Sequence, residues 1–66
     1  MKFAEAWEGL NLAGKPIRRK EWTKDVYYMR DKHGVICRVK DKSTAWATAI
    51  SVRDMVEDDW EYYDGK

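Results

Sequence analysis

The chain has 66 residues with one cysteine and one histidine, which excludes an intrachain disulfide and a zinc site closed by four Cys or His ligands. Thirteen Lys and Arg residues against 12 Asp and Glu residues leave a net charge of +1, which argues against a dedicated DNA-binding domain. The sequence lacks a signal-peptide apolar run and the roughly 20 apolar residues of a membrane span, so we expect one cytosolic domain over residues 1–66.

The small size of the chain favours self-association. A domain of about 60 residues buries only about 60% of the surface that its unfolded chain exposes. Short chains usually compensate with disulfides, a metal or a partner subunit. Because the first two are excluded here, we expect a homo-oligomer. Four Trp and four Tyr residues supply much of the core material, since each large ring buries about 150–250 Å².

The chain begins with a predicted amphipathic helix over residues 3–13. One helical face is indicated by apolar residues at the spacing i, i+3, i+4 and i+7, namely Phe3, Ala6, Trp7 and Leu10. Gly14 accepts the left-handed conformation that ends a helix, and Pro16 cannot continue one. Residues 16–20 form the first predicted strand, with proline tolerated at its start.

Two further strands are predicted over residues 26–30 and 35–40, with a turn between them. The turn comprises residues 31–34, in which Gly34 is free to adopt positive φ and His33 is expected in solvent. Alternation places Val35, Cys37 and Val39 on one face of the third strand, so we expect Cys37 in the core as a reduced thiol.

The last third of the chain predicts a second turn at residues 41–43, an ambiguous segment at 44–50, a short helix and a final strand. Ser51 opens the short helix as its N-cap, and Met55 and Val56 are expected to face the core. The final strand covers residues 60–63, with Trp60 and Tyr62 on one face. The predicted fold is α+β: an N-terminal helix packed on a small antiparallel sheet of about four to five strands, with a short helix before the last strand.

A search for catalytic chemistry finds no nucleophile with a base beside it. The only histidine, His33, lies in the predicted turn, and no glycine-rich phosphate loop is present. Asp58 and Asp59 are adjacent in sequence, and adjacent side chains on a helix point apart. We therefore expect a binding protein with no enzymatic activity, no cofactor and no metal.

A basic segment that contains an aromatic residue is the strongest binding signal. Arg18, Arg19 and Lys24 surround Trp22, and Tyr28 follows in the next strand. An arginine holds a phosphate with two parallel hydrogen bonds, and an aromatic face stacks on a base with about 1–3 kcal/mol. The charge distribution is uneven: residues 15–24 are basic and residues 54–64 acidic. Such asymmetry either steers an anionic ligand or solvates two separate surfaces.

Two segments at the ends of the chain carry a specific order of residues. The first reads Phe3-x-x-Ala6, then Gly14-Lys15-Pro16-Ile17-Arg18-Arg19 and Trp22; the second reads Ser51-x-x-Asp54-Met55-Val56-x-x-Asp59-Trp60-Glu61. In this order they resemble the opening and closing segments of the phage Thoeris anti-defence family, type two. That family was formerly a domain of unknown function in phage and prophage genomes.

The resemblance implies a sponge, which binds a cyclic ADP-ribose isomer or a cyclic oligonucleotide without degrading it. It implies a homo-oligomer, a dimer or tetramer, in the cytoplasm of the infected bacterial host. A pocket for such a ligand occupies about 300–1,000 Å³, which a domain this small cannot enclose alone. We therefore expect pockets between subunits, with Arg19 and Trp22 from one copy and Ser51 or Asp54 from a neighbour.

The expected roles follow from residue chemistry. Trp22 is the stacking platform, Tyr28 a second ring, and Arg18 or Arg19 the partner of the pyrophosphate. Alternation puts Arg18 with Trp22 on one strand face, whereas the family pattern favours Arg19. Asp54 either accepts a hydrogen bond from a ribose hydroxyl or base amine, or caps the helix that Ser51 opens.

Two other classes of function remain open. One is a phage protein-interaction module that docks its aromatic surface on a host protein. The other is a weak single-stranded nucleic-acid binder that uses the same arginine and tryptophan face, although the near-neutral charge argues against it.

Overall fold

Five antiparallel strands form one sheet, and an N-terminal helix packs on one of its faces. The computed structural model describes residues 1–22, 25–46 and 50–64. The elements in chain order are α1 (Phe3–Ala13), β1 (Ile17–Arg19), β2 (Tyr27–Arg30), β3 (Ile36–Lys40), β4 (Ser43–Trp46), α2 (Val52–Met55) and β5 (Trp60–Tyr62). The strand order is β4-β3-β2-β1-β5, so the last strand pairs with the first. The predicted α+β fold is confirmed.

The register across the sheet decides which side chains face α1. Ile17 lies opposite both Tyr28 and Tyr62, and Arg19 lies opposite Trp60. Because successive residues of a strand point to opposite faces, these five side chains share the face that carries the helix.

The core forms where α1 meets that face. Ala6 and Leu10 of α1 are fully buried against Ile17, Tyr28 and Trp60. The indole N–H of Trp60 donates to the carbonyl oxygen of Asp54 at 2.9 Å, so this large ring is buried without an unsatisfied donor. One tryptophan at the centre therefore replaces several aliphatic side chains in a small core.

The local predictions for the helix and the central hairpin are confirmed. α1 covers residues 3–13, and Gly14 ends it with φ of 66°. Gly34 adopts φ of 82° in the turn before β3. Within β3, Cys37 is buried, and His33 is exposed in the turn that precedes the strand.

Two details of the last third differ from expectation. The second turn comprises Asp41 and Lys42 alone, both with positive φ, and Ser43 already pairs with Lys40 as the first residue of β4. Two positive-φ residues suit a two-residue hairpin loop, because its twist matches that of the strands. Of the ambiguous segment 44–50, residues 44–46 belong to β4, and residues 47–49 lie outside the described residues.

The prediction that Met55 and Val56 face the core is wrong. Their exposed fractions are 38% and 73%. α2 presents Asp54 to the interior instead, since its carbonyl accepts from Trp60 and its carboxylate pairs with Arg19. Each helical residue is rotated by about 100° from the one before. The side that carries Met55 and Val56 is therefore turned outward once Asp54 points inward.

Neither helix in the described parts of the chain has the length and apolar character that a bilayer crossing requires.

A glycine in the middle of α1 allows close contact with the last strand. A Cβ placed on Gly9 would lie 2.6 Å from Cε1 of Tyr62. The ammonium group of Lys15 lies over the ring of Tyr62, with Nζ 5.0 Å from the ring centroid. Glycine at position 9 lowers the helix propensity of α1, and its missing side chain lets the Tyr62 ring pack directly on the helix backbone.

We expect Gly9→Ala to destabilise the protein, although alanine favours a helix over glycine by about 1 kcal/mol. The added methyl group overlaps the Tyr62 ring, and such overpacking costs about 1–3 kcal/mol. In a Tyr62→Ala background the same change should stabilise the protein by about 1 kcal/mol. Urea unfolding of the four proteins in this cycle measures both effects. Stabilisation of equal size in both backgrounds would contradict the contact.

Candidate functional site

The predicted ligand-binding residue Arg19 lies at the centre of an ion-pair network. Its Nε and Nη2 donate to the two carboxylate oxygens of Asp59 at 2.8 and 3.3 Å. Its Nη1 lies 2.6 Å from Oδ1 of Asp54 and 2.9 Å from Oε2 of Glu21. Only 5% of Arg19 is exposed. The hydrogen bond to Asp59 is the main cause that raises the pKa of Arg19.

This Arg19 network, defined as Arg19 with Glu21, Asp54 and Asp59, is acidic overall. One positive and three negative charges leave a net charge of −2. A phosphate approaching Arg19 would have to displace carboxylates that already hold the guanidinium in the bidentate geometry typical of strong ion pairs. The arrangement favours a structural role for Arg19.

Arg18 points to the opposite face of the sheet. Its Nη2 donates to the carbonyl oxygen of Trp22 at 2.6 Å, and its Nε lies 3.4 Å from Oε2 of Glu61. The two arginines of the basic run therefore pair with the acidic run and are not available as a separate charged surface. β1 and β5 are neighbours in the sheet, and the arginines of one run pair with carboxylates of the other.

Strand alternation predicted that Trp22 and Arg18 share one face of the sheet. In the structure they do not. β1 ends at Arg19, and the N–H of Trp22 donates to the carbonyl oxygen of Arg19 at 3.0 Å in a tight turn. This turn directs the indole toward the core side, where its centroid lies 5.4 Å from Tyr28 and 5.3 Å from Trp60, both edge-to-face. Alternation failed because it holds only while the backbone stays extended.

The predicted pair of rings is thus brought together, but as part of the core. Trp22 is half-buried, and Tyr28 is buried. Burial raises the pKa of the Tyr28 hydroxyl. Edge-to-face packing fills the space between the rings, so the two do not form an open slot for a third ring.

Two of the remaining predicted residues, Ser51 and Asp54, belong to α2 and its N-cap. Ser51 is exposed and caps α2, since its Oγ accepts from the N–H of Arg53 at 3.2 Å. Asp54 contacts Arg19 within one chain. The sequence-based hypothesis instead expected these two residues to contribute to one pocket from different subunits. Lys24 lies outside the described residues. The ligand-binding roles of these seven residues stay predictions.

A second group of side chains places positive charge on the β3–β4 hairpin. Pairing of β3 with β4 sets Arg38 opposite Ala45 and Lys40 opposite Ser43 on one face. The small partners leave space beside the long cations, which creates a cleft of about 440 Å³. We call this the Arg38 cleft; its lining residues are Arg38, Lys40, Asp41, Ser43, Ala45 and Trp46.

The charge and the ring in the Arg38 cleft are accessible. Neither Arg38 nor Lys40 forms an ion pair with any residue in the described ranges. Trp46 is 75% exposed on the edge strand. The sequence analysis missed this group because residues 15–24 contain a denser cluster of basic residues. The available signal was the alternation that puts Arg38 and Lys40 on one strand face.

Cys37 has the surroundings of an interior thiol. The thiol of Cys37 lies 3.9 Å from a carboxylate oxygen of Asp31, and burial raises its pKa, followed by the effect of the Asp31 charge. The thiol therefore stays protonated at neutral pH, as an interior cysteine does. Within residues 1–22, 25–46 and 50–64, no three His, Cys, Asp or Glu side chains are grouped to hold a metal ion.

Comparison with protein-family models, curated proteins and solved structures finds no match to this chain. The functional proposal therefore depends on the site geometry and on the segment resemblance described above.

We expect Asp59→Asn to destabilise the protein at pH 7 more than Asp58→Asn, its matched neighbour. The hydrogen bond from Arg19 lowers the pKa of Asp59 in the folded protein. A lowered folded pKa contributes stability that is present above the unfolded value of about 4 and is lost as the pH falls below it. The Asp59→Asn variant should therefore lose less stability than the parent between about pH 5 and 2, which urea unfolding across that range measures. Parallel curves for the parent and both variants would contradict the network.

Proposed function

We propose that this chain is a non-catalytic binding protein that sequesters an anionic nucleotide, and that the Arg38 cleft is its binding surface. The observation that carries the proposal is the presence of Arg38 and Lys40 on one face of β3, without ion-pair partners among the described residues. The exposed Trp46 also lines the cleft, and its pairing with Cys37 puts its ring toward the other face, at the free edge of the sheet. A nucleotide combines negative phosphates with a flat base, and this cleft offers the complementary groups.

The chemistry of the cleft suits capture. Arg38 donates to phosphate oxygens in a bidentate manner, and Lys40 adds a point charge on the same strand face. Trp46 lines the cleft at the free edge of the sheet and offers a stacking surface to a base that reaches this edge. Asp41 supplies a carboxylate that can accept a hydrogen bond from a base amine or a ribose hydroxyl. Capture needs no nucleophile or general base, because no bond is made or broken.

The size and position of the cleft favour a site completed by a second copy. Its volume of about 440 Å³ lies in the range of about 300–1,000 Å³ typical of small-molecule sites. The cleft borders β4, an edge strand of the sheet whose four residues are all exposed. An edge strand presents unpaired backbone groups that another chain can use. We therefore propose a homo-oligomer, a dimer or tetramer, in which the neighbour closes the cleft.

The resemblance of the two terminal segments narrows the ligand class within this proposal. It points to a phage anti-defence sponge that holds a cyclic ADP-ribose isomer or a cyclic oligonucleotide in the cytoplasm of the infected bacterial host. The predicted Trp22 site remains the alternative location for the same ligand, since its ring is half-buried rather than buried.

The test incubates the purified protein with cyclic ADP-ribose isomers and with cyclic di- and trinucleotides. Calorimetry measures binding, and mass spectrometry identifies what heating releases. We expect one of these compounds to bind and to be released intact. Arg38→Gln with Lys40→Gln should weaken binding at least about 10-fold, because each charge-assisted hydrogen bond contributes about 1.5–3 kcal/mol. Trp46→Ala should weaken it about 10-fold through lost stacking.

Arg53→Gln is the matched control, since Arg53 is an exposed cation outside the cleft. It should bind as the parent does. Binding that is unchanged in the Arg38 and Lys40 variant but lost in Trp22→Ala would refute the Arg38 cleft and favour the Trp22 site. Release of a hydrolysed compound would refute sequestration. Affinity for an oligonucleotide that falls steeply with salt, with no capture of cyclic compounds, would favour nucleic acid as the ligand.

A further inference from the structure

A second cleft, apart from the Arg38 cleft, is formed by β2, the segment before β1 and the residues after β5. Its main feature is a pair of stacked tyrosines, Tyr27 from β2 and Tyr63 immediately after β5. Their ring centroids are 3.9 Å apart and their planes differ by 9°. Because Tyr28 and Trp60 face α1, alternation puts Tyr27 and Tyr63 on the opposite face of the sheet.

The backbone on both sides holds the two rings in place. The N–H of Tyr63 donates to the carbonyl oxygen of Pro16 at 2.8 Å, and Tyr27 pairs with Val39 in the β2–β3 ladder. Rings that are already ordered lose little rotamer freedom when a ligand binds. The stacked pair is therefore a preformed flat surface.

The remaining walls of this tyrosine cleft combine apolar surface with charges of both signs. The cleft has a volume of about 410 Å³, and its lining residues include Pro16, Tyr27, Met29, Arg30, Tyr63 and Asp64. Pro16 and Met29 are half-buried and provide apolar contact. Arg30 is oriented by a hydrogen bond from its Nη1 to the carbonyl oxygen of Asn11. It forms no ion pair with any described residue.

We infer that the tyrosine cleft binds an aromatic amino acid in its zwitterionic form. The aromatic ring extends the tyrosine stack, which offset stacking makes favourable. The thioether of Met29 contacts the ring edge. Arg30 binds the α-carboxylate with parallel hydrogen bonds. Asp64 accepts from the α-ammonium group; a carboxylate has several acceptor positions, so this contact is compatible with others.

The opposite charges at the cleft decide between ligand classes. The charged groups of a nucleotide are phosphates, which match Arg30 alone, whereas a zwitterion offers a carboxylate to Arg30 and an ammonium group to Asp64. The volume accommodates one ring system with its amino-acid end. This inference is independent of the proposed function, because none of the residues that line the tyrosine cleft lines the Arg38 cleft.

The first part of the experiment compares four probes by calorimetry and by amide chemical shifts. L-tryptophan has the ring and both charges, tryptamine lacks the carboxylate, indole-3-propionate lacks the ammonium group, and L-leucine lacks the ring. We expect L-tryptophan to bind and to shift amide signals at Met29 and Tyr63. Each of the other three should bind about 10-fold more weakly, because each lacks one of the two charge-assisted contacts or the stacked ring.

The second part assigns the contacts to residues. Arg30→Gln should remove the preference for L-tryptophan over tryptamine, because it removes the partner of the carboxylate. Asp64→Asn should remove the preference for L-tryptophan over indole-3-propionate, because it removes the partner of the ammonium group. Tyr63→Leu should weaken L-tryptophan about 10-fold, while Tyr63→Phe should leave it unchanged because the ring face makes the contact. Arg53→Gln, at an exposed cation that lines neither cleft, is the matched charge control and should leave L-tryptophan binding unchanged.

Three results would overturn the inference. They are the absence of any L-tryptophan binding, equal affinity for all four probes, and binding of adenosine 5′-monophosphate at this cleft as tight as that of L-tryptophan. Circular dichroism of each variant confirms that a loss of binding does not come from a loss of fold.

Discussion

The interaction of Arg19 with Asp54 and Asp59 determines how the two ends of the chain come together. A buried guanidinium is tolerated only when its donors are paired, and here the partners lie 35 and 40 residues away. The pairing connects β1 to α2 and to the start of β5. It also turns Asp54 inward, where its carbonyl accepts from the central Trp60. The orientation of α2 follows, and its apolar side chains Met55 and Val56 are left at the surface.

The same interaction determines where positive charge is accessible. The basic run around β1 and the acidic run around β5 neutralise each other through Arg18 and Arg19. The accessible cations of the Arg38 cleft lie instead on the β3–β4 hairpin, which α1 does not cover. The molecule thus divides into a half that stabilises the fold and a hairpin that is available for a ligand. The stacked tyrosines add a surface of different chemistry on the opposite face.

Sequence patterns predicted the elements well where a local rule decides. The spacing of apolar residues and Gly14 defined α1 to the residue, and the glycine turn before β3 was recognised by its composition. Alternation correctly placed Cys37 in the interior. The same rule failed for Trp22, where the strand ends and the backbone turns, and helix patterning failed for α2, whose four residues are too few to show a period. Short elements are oriented by their tertiary partners.

The sequence by itself determined most of the secondary structure, the α+β class and the presence of clustered basic and aromatic residues. It did so because helix and strand periods, turn residues and side-chain chemistry are local properties. The tertiary structure decided which of those residues are accessible. The last strand pairs with the first, so the densest cluster of arginines meets carboxylates from the other end of the chain. The availability of a charge depends on its neighbours in space, and those neighbours are set by strand order rather than by local pattern.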